Sequence, residues 1–265
     1  MAPGTSARSS TAATISTRHS CRSARKAAEP MIIFEDRLSD SPLIERVWRS
    51  HTARPGTFRS IAASTFEMVV SRHGGRTFFT LRGPETQATL AELPADGEWF
   101  AIRFRIGTFV PHLTPGNLTD RRDVTLPQAT RHSFWLNGSA WDYPDFENAE
   151  TFVNRLFRKG ILVRDPMVES ALAGDADALP ARTLQRHFLR ATGLTFGAVR
   201  QIERARYATI LLREDMPILD VVQQAGYYDQ AHLTRSLRHR IGQTPTAIIR
   251  GEEQLSFLYK TPRPR

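Results

Sequence analysis

The chain has one cysteine, Cys21, in 265 residues. A single thiol excludes an internal disulfide and a cysteine-rich zinc site. Lysine is almost missing: Lys26, Lys159 and Lys260 are the only lysines among 36 basic residues, so arginine carries the positive charge. No apolar run approaches the ~18 residues of a membrane span. Histidines that could hold a metal are scattered: His73, His112 and His132 are far apart, with no His-x-His pair and no nearby Glu at ligand spacing. A catalytic metal usually needs three protein ligands, so no metal is expected. Ser139 lies in Asn137-Gly138-Ser139-Ala140, not in a Gly-x-Ser-x-Gly elbow. Gly107-Thr108-Phe109 reads as a turn and not as a phosphate loop. The expectation is a soluble, cytoplasmic, non-enzymatic protein with no cofactor and no catalytic residue.

What is present is ordinary globular composition, 40% hydrophobic and 24% charged, with a net charge of +9. Length alone suggests two domains. The charge is uneven: residues 1–30 carry +4, residues 31–160 carry +1 and residues 161–265 carry +4. Basic ends around a near-neutral middle suit a polyanionic partner, although total charge alone is weak evidence. Residues 1–30 are rich in Ser, Thr, Ala and Arg and have Ile15 as their one large aliphatic residue before Met31. Such a stretch buries too little apolar surface to offset its ordering entropy. It reads as a disordered basic segment or as an overlong gene start with Met31 as the true initiator. A targeting peptide ranks below both, and no apolar stretch suggests a secretory signal.

Residues 31–145 read mostly as β. Phe66 to Val70 is an apolar run, His73-Gly74-Gly75-Arg76 supplies a turn, and Thr77 to Leu81 gives a second strand before Gly83-Pro84. Ile102, Phe104 and Ile106 alternate onto one face. Short strands between Gly/Pro turns suggest a sandwich or barrel. Pro42 to Arg49 reads as a short helix or an edge strand. Trp48, Trp99, Trp135 and Trp141 could line a hydrophobic pocket, with core packing the plainer role for most. Residues 146–160 read as a connector helix, with acids in its first turn, Phe152, Val153, Leu156 and Phe157 on one face, and Gly160 as stop.

From residue 161 to 260 the pattern is helical. Asp165-Pro166 opens a helix through Leu172. Further helices are expected over Arg182–Ala191, Phe196–Arg213, Pro217–Gly226, and from Asp229, an N-cap type, to Gly242. Thr244-Pro245 opens a last one. Leu233, Leu237 and Ile241 recur at i, i+4 and i+8, leaving Gln230, Ala231, His232, Thr234, Arg235 and Arg238 outside. No acid occurs between Gln230 and Arg250. A short helix, a turn at Gly226 and a basic amphipathic helix form the pattern of a helix-turn-helix, whose second helix lies in the major groove. One such helix alone is better read as a solvated face on a bundle. Here the pattern recurs: Leu184 and Phe188 face inward while Arg182, Gln185, Arg186 and Arg190 face outward. The intervening helix, if eighteen residues long, spans ~27 Å, which approaches one DNA turn of ~34 Å.

The run from Gly226-Tyr227-Tyr228-Asp229-Gln230-Ala231-His232-Leu233-Thr234-Arg235 through Gly242-Gln243-Thr244-Pro245 resembles the second helix-turn-helix of the AraC/XylS family of transcription regulators. Arg182-Thr183-Leu184-Gln185-Arg186-His187-Phe188 with Thr192-Gly193-Leu194 resembles the first recognition helix, and the helix with Arg204-Ala205 and Leu211-Leu212 resembles the linker. The resemblance covers about residues 165–250. It implies base reading by Arg182, Gln185 and Arg186 in the first unit. In the second it implies Ala231, His232 and Arg235, with Gln230 and Thr234 on phosphates. Leu233 and Leu237 stand where the family usually has Phe. Pro180 stands where it generally has a capping Ser, so that helix lacks a side-chain cap.

The expected fold class is thus α+β: an N-terminal β-rich, cupin-like barrel or sandwich, then an all-α domain of two helix-turn-helix units joined by a linker helix. The expected partner is double-stranded promoter or operator DNA. RNA polymerase, a small-molecule effector acting through the N-terminal domain and a second copy of the chain are further candidate partners, and a membrane is not. The alternatives are a cupin-like ligand-binding protein or enzyme with a vestigial DNA-binding domain, and a non-catalytic interaction protein that has lost DNA binding.

Overall fold

In the computed structural model the described residues are 32–113, 115–120, 124–174 and 180–251. The expected disordered segment, residues 1–30, lies outside them. The first half is β-rich: β1 (Ile32–Leu38), β2 (Ile44–Thr52), β3 (Gly56–Ser60), β4 (Glu67–His73), β5 (Arg76–Arg82), β6 (Thr89–Leu93), β7 (Glu98–Phe104) and β8 (Thr108–Phe109). After a single-turn helix, α1 (Pro115–Leu118), come β9 (Val124–Leu126), β10 (Gln128–Thr130), β11 (Ser133–Leu136) and β12 (Ser139–Asp142). Six strands form an antiparallel sheet in the order β1-β2-β7-β4-β5-β9. The β10-β11-β12 sheet and the β3–β6 ladder are separate. The strands thus form sheets with β1 and β9 as edges of the largest. The segment expected as a short helix or edge strand is the strand β2, covered by β1 on one side and β7 on the other.

Side chains alternate across this sheet with period two. Val47, Met68, Val70, Phe100 and Ile102 enter the main core, while their neighbours Trp48, Val69 and Ala101 form a small cluster on the opposite face. Burial on both faces explains why Phe66–Val70 reads as a continuous apolar run. Gly74 and Gly75 both have positive φ, 56° and 71°. That conformation closes a two-residue hairpin between β4 and β5 whose twist matches the strands.

α2 (Ala149–Arg158) follows. Of this helix, expected as a connector, Phe152, Val153 and Leu156 belong to the main core with Phe134 and Trp141. Phe152 meets Trp141 edge-to-face at 6.0 Å. Arg37 on β1 clamps the helix, donating from Nη1 and Nη2 to the two Glu150 carboxylate oxygens at 2.6 and 2.8 Å. The Ser39 hydroxyl adds a 2.8 Å bond.

β13 (Val163–Arg164) then returns to pair with β8. The helical half comprises α3 (Pro166–Ala173), α4 (Ala181–Thr192), α5 (Phe196–Arg213), α6 (Ile218–Gln224), α7 (Gln230–Arg240) and α8 (Pro245–Arg250). Side chains cap several starts: Asp165 accepts from Met167 N–H, Thr195 from Ala198, Asp229 from His232 and Thr244 from Ala247. Two cores form around α5. One gathers Val168, Phe188, Ala191, Val199 and Ile202. The other gathers Ala205, Leu211, Leu212, Leu233, Leu237 and Ile241. Among the described residues, no helix is long and apolar enough to cross a membrane.

Two outcomes follow from this packing. Leu237 is fully buried, so Leu237→Ala should lower stability by about 2–5 kcal/mol, read as a shifted urea midpoint. Glu150 is held down to about 2 by the Arg37 hydrogen bonds, against a smaller opposing effect of burial. A depressed carboxylate stabilises the fold fully above its unfolded value of roughly 4.3 and loses that contribution as pH falls through the folded value. Glu150→Gln should therefore flatten the decline in stability between pH ~4 and ~2, measured by denaturation at stepped pH.

Candidate nucleic-acid interface

In the second helical pair, α6 ends at Gln224, Ala225 caps it and Gly226 turns the chain with φ 70°. Tyr227 is buried, and its hydroxyl lies 3.1 Å from Ser236 Oγ. Arg204 of α5 stacks over the Tyr227 ring at 4.5 Å and donates to Gly226 O at 3.1 Å. Burial pushes the Tyr227 phenol up from its ordinary value. These contacts fix the turn, and Asp229 starts α7 by accepting from His232 N–H at 2.6 Å.

The faces of α7 fall as the spacing predicts. Leu233, Ser236 and Leu237 are buried, while Gln230, Ala231, Arg235 and Arg238 are exposed. His232 and Thr234 are half-buried. His232 packs edge-on against Tyr227 at 5.1 Å, and Thr234 Oγ1 donates back to Gln230 O at 2.8 Å. Arg240 differs from the other arginines of the helix. Its Nη2 donates to Gln201 Oε1 on α5, and burial lowers its pKa. Tyr228 is 91% exposed beside the start of α7.

In the first pair, Arg182, Gln185 and Arg186 are exposed on α4, and Phe188 is buried. Pro180 precedes the helix with no side-chain cap. Its carbonyl nevertheless accepts from Thr183 and Leu184. Gly193 ends α4 with φ 71°, and an added Cβ would fall 2.6 Å from Gly116 N, so the helix end abuts α1. Arg190 has a protein partner: although its side chain is 66% exposed, Nη2 lies 2.7 Å from Asp165 Oδ2. His187 Nδ1 reaches the same oxygen at 2.7 Å. Burial pushes the Asp165 carboxyl up, but the His187 and Arg190 hydrogen bonds outweigh it and hold the pKa below the usual range. By contrast, among the described residues Arg182, Arg186, Arg235 and Arg238 have no hydrogen-bonded or ionic protein partner. The same helical half thus presents two pairs of available guanidiniums on two helices joined through α5. Among the described residues, no three His, Cys, Asp or Glu side chains converge as a metal site.

Residues 176–251 match the helix-turn-helix domain family. The HTH-type transcriptional regulator RipA of Corynebacterium glutamicum is 33% identical over 105 residues, 39% of this chain and 32% of that protein. The regulator of the same name from Corynebacterium diphtheriae is 38% identical over 70 residues, 26% of this chain and 21% of that protein. The chain thus spans a third or less of the length of these curated relatives. The solved structure of ToxT from Vibrio cholerae aligns over 82% of this chain and 97% of that one, at 12% identity and a TM-score of 0.38. The C-terminal part of this chain is a helix-turn-helix domain, as its resemblance to the AraC/XylS pattern implies.

The Asp165 cluster yields a stability test. Asp165→Ala removes a helix cap and takes their buried acceptor away from Arg190 and His187. It should cost about 1–3 kcal/mol, read from chemical denaturation. Arg190→Ala, on the exposed side of the same contact, should cost well under half of that. Equal costs would assign the stabilisation to Arg190 rather than to the cap.

Proposed function

We propose that this protein is a sequence-specific DNA-binding transcription regulator of the cytoplasm, in which α4 and α7 enter successive major grooves of double-stranded DNA. One observation carries the reading: a helix-turn-helix domain exposes two arginine pairs, Arg182 with Arg186 and Arg235 with Arg238, that no protein group among the described residues engages. Arginine reads guanine through paired hydrogen bonds, and uncommitted guanidiniums also neutralise phosphate. Gln185 on α4 and Ala231 and His232 on α7 accompany them at base edges. Gln230 and Thr234 lie in the first turns of α7, where helix N-termini favour phosphate oxygens. Arg190 serves chiefly to hold α4 on Asp165, with phosphate contact secondary. RNA polymerase, an effector bound by the β-rich half and a second copy of the chain are the further partners of this reading. No enzymatic step is assigned.

Selection of bound sequences from random duplex DNA by the purified full chain, at stated salt, tests the proposal. Enrichment of a site with two elements roughly 10 bp apart is expected. A footprint confined to one groove would remove α4 from the reading. Arg235→Ala should weaken binding to the selected site by about 1–3 kcal/mol and relax preference at one base. An equal loss on selected and random DNA would place Arg235 on phosphate.

A further inference from the structure

The face of the six-stranded sheet that points away from the main core is covered by the β3–β6 ladder, and a cavity of about 150 Å³ lies between them. Trp48 on β2, Phe58 on β3 and Trp99 on β7 line it. Arg206, reaching over from α5 of the helical half, lines it as well. A cavity of this size has room for one benzene-sized ring. Aromatic walls favour the face or edge of such a ring.

Charge narrows the class. The lining contributes three guanidiniums, Arg82, Arg103 and Arg206, and three carboxylates, Glu67, Glu85 and Glu92. Arg103 Nε already donates to Glu67 Oε1 at 2.5 Å, with both side chains buried. Glu85 accepts from Ser60 Oγ at 2.8 Å. A ligand ion would enter a balanced site and bear its desolvation cost without a counter-charge. An uncharged ring bears no ionic desolvation cost, and the hydroxyls of Ser50 and Thr65, which also line the cavity, offer partners to a polar substituent on it.

The same walls hold the second recognition helix. Phe58, Ser60, Ile61 and Ala63 face the cavity. Between them, Ala62 N–H donates to Arg240 O at the end of α7 at 2.8 Å, and Ala62 O accepts from Arg206 Nη1 at 3.1 Å. Ala88 lies between the lining residues Glu85 and Ala91, and its N–H donates to His239 O at 2.9 Å. Two of the carbonyls that a helix leaves unpaired at its C-terminal end are therefore satisfied by the two segments that bound the cavity. Displacement of either wall alters the cap of α7.

We propose that this cavity binds a small, uncharged, single-ring aromatic molecule bearing a hydrogen-bonding substituent, and that its occupation reaches α7 through the Ala62 and Ala88 amides. The proposal deepens the effector role suggested above, and only its consequence for transcription rests on the DNA-binding reading. The test uses the full chain with phenol as probe, and with benzoate, benzylammonium and cyclohexanol as comparators. Trp48 and Trp99 report binding by fluorescence, and hydrogen exchange of peptides containing Ala62 and Ala88 reports transmission without DNA. Phenol should give a saturable change, with benzoate and benzylammonium about tenfold weaker or more, and cyclohexanol weaker too. Ala91→Phe, which fills the cavity, should abolish it. Exchange at the two amides should change by about fivefold or more at saturation. The wild-type titration decides the binding claim even if the filled variant does not fold. No saturable signal, charged rings binding as well as phenol, or unchanged exchange at both amides would each overturn the proposal. Failure to select a DNA sequence, with phenol binding and exchange as expected, would instead overturn the DNA-binding reading alone.

Discussion

The structure turns on two adjacent residues, Ile61 and Ala62, as the chain leaves β3. Ile61 is a member of the core formed by α5, α6, α7 and α8. Ala62 is a member of the core formed by α3, α4 and α5. Neighbouring residues just after β3 thus enter the two helical units on either side of α5. The polar groups of this buried backbone are paired, as buried amides and carbonyls must be: Ala62 N–H with Arg240 O, and Ala62 O with Arg206. Phe109 of β8 adds a second contact to the α4 core. α4 and α7 are therefore each positioned by the β-rich half as well as by α5.

Charge is buried along the same seam. Glu67 faces Arg103 across β4 and β7 and Arg82 across β4 and β5. Burial pushes the Glu67 carboxyl up, but the two arginines outweigh it and hold it below the ordinary range. Glu45 lies nearby with the opposite outcome: burial pushes it up, and attraction to Arg103 and Arg206 recovers only part. Ser64 Oγ bonds Glu203 of α5 at 2.6 Å. Buried ion pairs return little net stability after desolvation, whereas removing one partner is costly. What they supply here is geometry, because a charge that must find its partner tolerates few relative placements of strand and helix.

The helices were legible because their ends are chemically marked. Asp165-Pro166, Asp229 and Thr244-Pro245 start three of them, and Gly193 and Gly242 stop two. α5 spans Phe196–Arg213 as the periodicity predicts. The sheets were less legible. Individual strands show in their alternation, but the placement of β7 between β2 and β4 depends on pairing across some fifty residues of sequence for β2, and no local pattern encodes it. α2 reads as a connector because its amphipathic face is plain while the surface that covers it, from β11 and β12, is not. Within the interface, outward faces were readable and side-chain commitments were not. Arg190 and Arg240 share the composition of Arg186 and Arg235, yet their partners Asp165 and Gln201 lie 25 and 39 residues away.

The seam also bears on how such a chain can be cut and recombined. A helix-turn-helix region looks like a portable unit, bounded by sequence and complete in its own helices. Here two of its core positions are filled by Ile61 and Ala62, more than a hundred residues upstream, and the end of α7 is closed by the amides of Ala62 and Ala88. A graft of residues 176–251 onto another protein would carry the exposed arginines of α4 and α7 but leave those core positions unfilled and those carbonyls to solvent. The portable piece is therefore discontinuous: the helices together with the loop that follows β3 and the segment around Ala88.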